Sequence, residues 1–245
     1  MKRTRIFALV ICALAIVCAT ALAQQKADPQ AYALLKAAHD ARQVWPANFP
    51  GFTSQVSFDD NGRAFKGSIS YTPAKGVEMK VAGLDEQAGD WLREQLNSLL
   101  AHRRGGDFAT RDGRHPITFG EDDKSPLGRL VCLNDSMKSC YRVRNGQTSQ
   151  VNRAIGDERF TIDVLETTAV EGGKYLPRHF TVTYFDAKSG DLKRADAFTD
   201  SHVKVEGIWM PSSRRVVRAE NGRVTARVIE IHDPRILAGE SAARN

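Results

Sequence analysis

The stretch IWMPSSRRVVRAENGRVTARVIEI, residues 208–231, decides the fold. Ile208 to Arg218 and Arg223 to Ile231 alternate and are rich in strand-forming side chains, and the Glu-Asn-Gly between them tolerates the positive φ of a tight hairpin turn. Towards the N-terminus the same grammar recurs. Phe52 to Asp59 and Ala64 to Tyr71 flank Asp-Asn-Gly, and Val77 to Val81 follows a Pro-bearing turn. Gly128 to Leu133, Tyr141 to Arg144, Thr148 to Ile155 and Arg159 to Thr167 follow in series, and His179 to Phe185 pairs with the segment after Asp-Ala-Lys-Ser-Gly. Such short connections leave no room for parallel crossovers, so about nine or ten antiparallel strands are expected in a meander.

Two segments have the helical period instead. From Ala31 to Trp45, the apolar residues Ala31, Leu34, Leu35, Ala38, Ala41 and Trp45 recur three and four apart until Pro46 ends the run. From Asp85 to His102, Ala88, Trp91, Leu92, Leu96, Leu99 and Leu100 form one apolar face, with Asp85 as N-cap and His-Arg-Arg-Gly-Gly closing the end. Two helices are too few to cover so broad a sheet in layers. The expected fold is therefore α+β: a strongly curved, incomplete antiparallel β-barrel wrapping its concave face around both helices. A closed barrel with the helices outside is the alternative.

The chain opens MKRTRIFALVICALAIVCATALA, residues 1–23. Lys2, Arg3 and Arg5 precede an apolar core, and Ala21-Leu22-Ala23 has the small-x-small form of a signal-peptidase site. Cleavage before Gln24 leaves residues 24–245, which no Pro/Gly/Ser-rich linker divides, as one domain in the periplasm or outside the cell. An uncleaved anchor is the competing reading; a lipoprotein at Cys18 is a further one, although Val17 stands where a small residue is wanted. The full chain carries a net +6, but removal of the three leader cations leaves 32 basic against 29 acidic side chains. So small a surplus does not point to nucleic acid. Beyond the leader only Cys132 and Cys140 remain, a pair that reads most simply as a disulfide in an oxidising compartment.

Familiar catalytic signatures are missing: there is no Gly-x-Ser-x-Gly, no His-Glu-x-x-His and no phosphate-binding Gly loop. The six histidines lie singly along the chain, so no metal or other cofactor is expected. Asp200 and His202 share one face if their segment is extended, and a carboxylate beside an imidazole suits acid-base work; a solvated turn is the plainer reading. Arg103 and Arg104 follow the second helix. Arg214 and Arg218 fall on one face of the late strand, either as a stripe for anionic head groups at a membrane surface or as a solvated face. Trp45, Phe49, Phe52, Phe58 and Phe65 crowd the start of the mature chain, where WPANFPGF either covers a cavity mouth or fixes the first helix on the first strand.

Four blocks carry a resemblance: WPANFPGFTSQV, WLREQLNSLLAHRR, YFDAKSG and GIWMPSSRRVV. Together they resemble a bacterial family of unknown function, frequent in cyanobacteria, over nearly all of the mature chain. More remotely, the plan resembles periplasmic lipoprotein carriers and their outer-membrane acceptors, which implies an apolar cavity that shelters acyl chains. The chain departs from an acceptor in lacking a lipid-accepting cysteine at its mature start.

The function expected is noncatalytic periplasmic binding of an apolar ligand, a lipid or the acyl chain of a lipoprotein, with transient contact to a membrane surface and a monomeric state by default. Trp91, Leu92, Leu96, Phe180 and Trp209 are the expected cavity wall. A structural or protein-interaction module of the envelope is the second reading. A hydrolase built on a carboxylate and a histidine is the third.

Overall fold

Asp28 opens the first helix in the computed structural model, which describes residues 27–238. Its carboxylate accepts from the N–H groups of Gln30 and Ala31, Pro29 sits in the first turn, and α1 runs Pro29–Asp40. The apolar period continues to Trp45, but the helix does not. Tyr175 N–H donates to the Ala41 carbonyl and Gln43 N–H donates to the Tyr175 carbonyl, so strand-like pairing takes the chain away from the helix. The leader, residues 1–23, and the cleavage site lie outside the described residues.

Three strands follow: β1 (Phe52–Asp60), β2 (Arg63–Thr72) and β3 (Gly76–Val81). The second helix, α2 (Glu86–Ala101), is capped by Asp85, whose side chain accepts from Ala88 N–H. A meander then runs β4 (Ile117–Phe119), β5 (Arg129–Leu133), β6 (Cys140–Arg144), β7 (Gln147–Ile155), β8 (Glu158–Val170), β9 (Lys174–Asp186), β10 (Leu192–Val205), β11 (Ile208–Glu220) and β12 (Arg223–Ile236). The expected hairpin signals form the turns. Asn61 and Gly62 have φ of 53° and 88°, and Asn221 and Gly222 have 50° and 70°, the left-handed values a two-residue turn requires.

The twelve strands make one antiparallel sheet in the order β3-β2-β1-β12-β11-β10-β9-β8-β7-β6-β5-β4. The expectation of about nine or ten strands in a strongly curved, incomplete barrel is thereby corrected, and so is the closed alternative. β3 and β4 are the two free edges; at six and three residues they are short, and no ladder joins them. The non-neighbouring pair in sequence is β1 with β12, which runs from Phe52↔Ile236 to Asp60↔Arg227.

Nor do the helices share one enclosed hollow. Leu92, Leu96, Leu99 and Leu100 of α2 pack with Val56, Phe58, Met210 and Ile229 of β1, β11 and β12. Ala31, Leu35 and Ala38 of α1 pack separately, with Ile117, Val131 and Leu133 of β4 and β5. Each helix satisfies its own apolar face on its own part of the sheet, which removes the force that was expected to bend the sheet around both.

The cysteine pair behaves as the sequence suggests. Cys132 and Cys140 are bonded across β5 and β6, opposite one another with Cα atoms 4.1 Å apart. Closing so short a loop contributes about 2.5 kcal/mol on the chain-entropy account. Replacing both residues, Cys132→Ala/Cys140→Ala, is expected to lower stability by about that amount in urea unfolding; an unchanged midpoint would show that the bond adds nothing.

Candidate functional site

Over β8, β9 and β10 the inner face of the sheet is only partly covered: Phe180, Val182 and Phe198 are buried at the margin of the α2 core, and Phe160, Ile162 and Tyr184 are half-buried against it. Period-two alternation puts Phe160, Ile162 and Val164 of β8 and Phe180, Val182 and Tyr184 of β9 on that face, with Phe198 on β10. They floor a cavity of about 410 Å³ whose sides are Leu35 and His39 of α1 and Gln95, Ser98 and His102 of α2. That volume lies in the range of small-ligand sites. Phe180 and Phe198 are cross-strand partners stacked at 4.6 Å, and Phe160 pairs with Tyr184 at 5.8 Å. The floor is therefore a continuous aromatic and aliphatic surface.

Charge is arranged around its edges. Arg218 makes two hydrogen bonds to Asp196, 2.8 and 3.0 Å, and Arg194 lies over the Tyr184 ring and 3.2 Å from the same carboxylate. Arg153 donates to the Tyr141 hydroxyl, which donates to Asp112 at 2.9 Å; burial pushes the Tyr141 phenol up to about 12. Beneath α2, Arg214 is fully buried and bidentate on Asp200, with Nε–Oδ1 2.8 Å and Nη2–Oδ2 2.7 Å. Its remaining donor reaches the Ser98 hydroxyl at 3.2 Å and the Gln95 carbonyl at 3.4 Å. This pair fastens α2 to the sheet.

Arg103, just past α2, is different. It is 4 % exposed and lines the cavity, yet its Nε and Nη1 have no hydrogen-bond acceptor among the described residues. Its carbonyl is occupied, accepting from Trp45 N–H at 2.7 Å. Burial, with some repulsion from Arg42 and Arg214, lowers the guanidinium to about 10, so it stays charged at neutral pH. His202 Nε2 is also buried without a partner. Burial and the neighbouring Arg103 pull His202 down to about 4. His102 lines the cavity and is exposed.

Of the expected wall, only Phe180 lines the cavity. Trp91, Leu92 and Leu96 are packed in the core beneath α2, Trp91 stacked on Phe58 at 5.5 Å under the Arg227 guanidinium. Trp209 is half-buried on β11; its indole donates to Glu171 and its carbonyl accepts from the Trp45 indole. Arg214, read as a head-group contact, has no exposed surface, because Asp200 on the neighbouring strand compensates it inside. Arg218 does reach the cavity, but with its fork already on Asp196. A β-bulge separates Ser201 from His202, both Asp200 oxygens are taken by Arg214, and no hydrogen bond links Asp200 with His202. Arg103 was visible only as half of a cationic pair after a helix, a pattern that also marks an ordinary helix end.

The sequence of residues 26–237 matches the family described as protein of unknown function DUF3386. The chain belongs to the DUF3386 family. No curated protein matches it. Among solved structures it is similar to a putative outer membrane lipoprotein-sorting protein domain from Vibrio parahaemolyticus, at 11 % identity over 85 % of this chain and 92 % of that one, TM-score 0.30. A DUF1329 family protein from Desulfovibrio piger gives 12 % identity over 88 % and 98 %, TM-score 0.25. The MucA/MucB complex of Pseudomonas aeruginosa gives 10 % over 86 % and 100 %, TM-score 0.20. At these identities no residue role carries over, so the chemistry of this DUF3386 chain has to be argued from its own cavity.

Two outcomes follow from the buried charges. Asp200→Ala leaves Arg214 unpaired in the core and is expected to cost about 3–5 kcal/mol in denaturant unfolding, whereas Asp200→Leu/Arg214→Met should recover most of that loss. His202 binds a proton less readily folded than unfolded, so stability present above about pH 6.5 is lost as pH falls towards about 4. Thermal midpoints across that window should decline for the wild type and decline less for His202→Gln; equal slopes would remove His202 from the account.

Proposed function

We propose that this protein is a noncatalytic binding module of the bacterial periplasm that shelters an apolar ligand, a lipid or the acyl chain of a lipoprotein, between α1 and α2. The observation that carries the reading is a cavity of about 410 Å³ over β8 to β10, flanked by α1 and α2 and floored by aromatic and aliphatic side chains. Export through a cleavable leader at residues 1–23 accords with the Cys132–Cys140 bond, which persists where the surroundings are oxidising.

The driving force is desolvation. Each methylene moved from water onto the floor of Phe160, Ile162, Phe180 and Phe198 gains about 0.8 kcal/mol before the ordering costs of binding. No reacting group is needed for this. Asp200, the carboxylate nearest to an acid-base role in sequence, has both oxygens committed to Arg214.

Uptake of N-phenylnaphthylamine, an uncharged probe whose fluorescence rises in apolar surroundings, should be saturable at one site per chain. Ile162→Trp fills the floor and should weaken that uptake at least tenfold while leaving the far-ultraviolet circular dichroism unchanged. No saturable uptake, or uptake indifferent to the Trp, would overturn the reading.

A further inference from the structure

We propose that the ligand is an amphipathic anion, whose carboxylate or phosphate is seated on Arg103 while its hydrocarbon lies along the aromatic floor. This rests on the reading of the cavity as an apolar-ligand site and adds the charge and orientation of what enters it.

Most charges that line the cavity already have partners, and the Glu94 carboxylate stands exposed in water at its margin. Asp196 is taken by Arg218 and Arg194, and Asp112 by the Tyr141 hydroxyl. Asp200 lies behind the wall with both oxygens on Arg214. Arg42 reaches the His39 carbonyl, and Arg153 the Tyr141 hydroxyl. Arg153 and Arg194 each keep an unpartnered Nε, but their guanidinium groups already meet the Tyr141 hydroxyl and the Asp196 carboxylate; Arg103 is the buried one with no acceptor for either Nε or Nη1 among the described residues. A helix C-terminus favours a cation at that place, but the α2 end supplies no acceptor to these two nitrogens.

Buried donors are satisfied in nearly every native structure, and a buried charge without a partner is strongly disfavoured, so this position is explained by an anion that arrives with the ligand. A guanidinium fork matches the two oxygens of a carboxylate or phosphate. His102 at the cavity side is a further hydrogen-bonding group. The carbon chain has one direction to go, since Phe180 and Phe198 line the same cavity as Arg103 and open on to Phe160 and Ile162. An anion alone would leave that floor wet, and a neutral oil would leave Arg103 unpaired.

Competition against N-phenylnaphthylamine, with palmitate, hexadecyl phosphate, hexadecanol and inorganic phosphate as separate arms, tests the proposal on the full mature chain. Palmitate or hexadecyl phosphate should bind the wild type roughly tenfold to a hundredfold more tightly than hexadecanol, the span expected of a charge-assisted hydrogen bond. Arg103→Gln should erase that preference without changing hexadecanol affinity, and Arg103→Lys should keep part of it. Unliganded Arg103→Gln should melt no lower than the wild type, because it removes a buried guanidinium two of whose nitrogens have no acceptor; a merely structural arginine would lower the midpoint. Equal affinity for palmitate and hexadecanol in the wild type overturns the anion seat and leaves the apolar site standing. Failure of all three long-chain compounds removes both. Inorganic phosphate competing as tightly as hexadecyl phosphate would show a free-anion site and sink the amphipathic form.

Discussion

One guanidinium organises the inner face of this sheet. Arg214 has no contact with solvent and spends its fork on Asp200 across the β10–β11 ladder, while its third nitrogen reaches Ser98 and Gln95 on α2. Taking a charge so far from water is tolerable only where geometry and partners are good. That requirement, together with the leucine face beneath the helix, fixes the position of α2 over β10 and β11. With α2 pinned there and α1 committed to β4 and β5, the strands between them are only partly covered. The cavity is what the two docking choices leave behind.

The same pair also determines the electrostatics next to it. Asp200 is a carboxylate whose charge acts on Arg103, His102 and His202, and Arg214 occupies both its oxygens. With those oxygens spent on holding the helix, it offers Arg103 no acceptor. The unpartnered nitrogens of Arg103, at the cavity beyond the end of α2, are thus a product of the architecture.

Much of the sheet was legible from local chemistry. Asp-Asn-Gly, Glu-Asn-Gly and Asp-Ala-Lys-Ser-Gly each carry their turn in their own residues, so the hairpins could be placed without tertiary information. What could not be read were properties that depend on distant partners. Whether the sheet closes is decided by what meets β3 and β4, and nothing in Gly76–Val81 or in the three residues Ile117–Phe119 encodes that encounter. Trp45 keeps the period of α1 but leaves the helix because Tyr175, 130 positions further on, captures the backbone at Ala41 and Gln43. Arg214 has the alternation of an inward residue, sharing its face with Val216, but its charge argued for the outside until Asp200 was seen opposite. Arg103 had no distinguishing signal at all, since its peculiarity is the absence of an acceptor in three dimensions.

The ladder between β1 and β12 has a temporal meaning as well. It joins Phe52 to Ile236, the start of the first described strand to the end of the last, as the third and fourth strands of the sheet and not at an edge. During synthesis the β1 hairpin must therefore wait, one flank unpaired, until residue 236 has emerged, and loop closure over so many residues makes such assembly slow. A sheet whose inner seam is sewn last stays unfinished for as long as β12 is withheld.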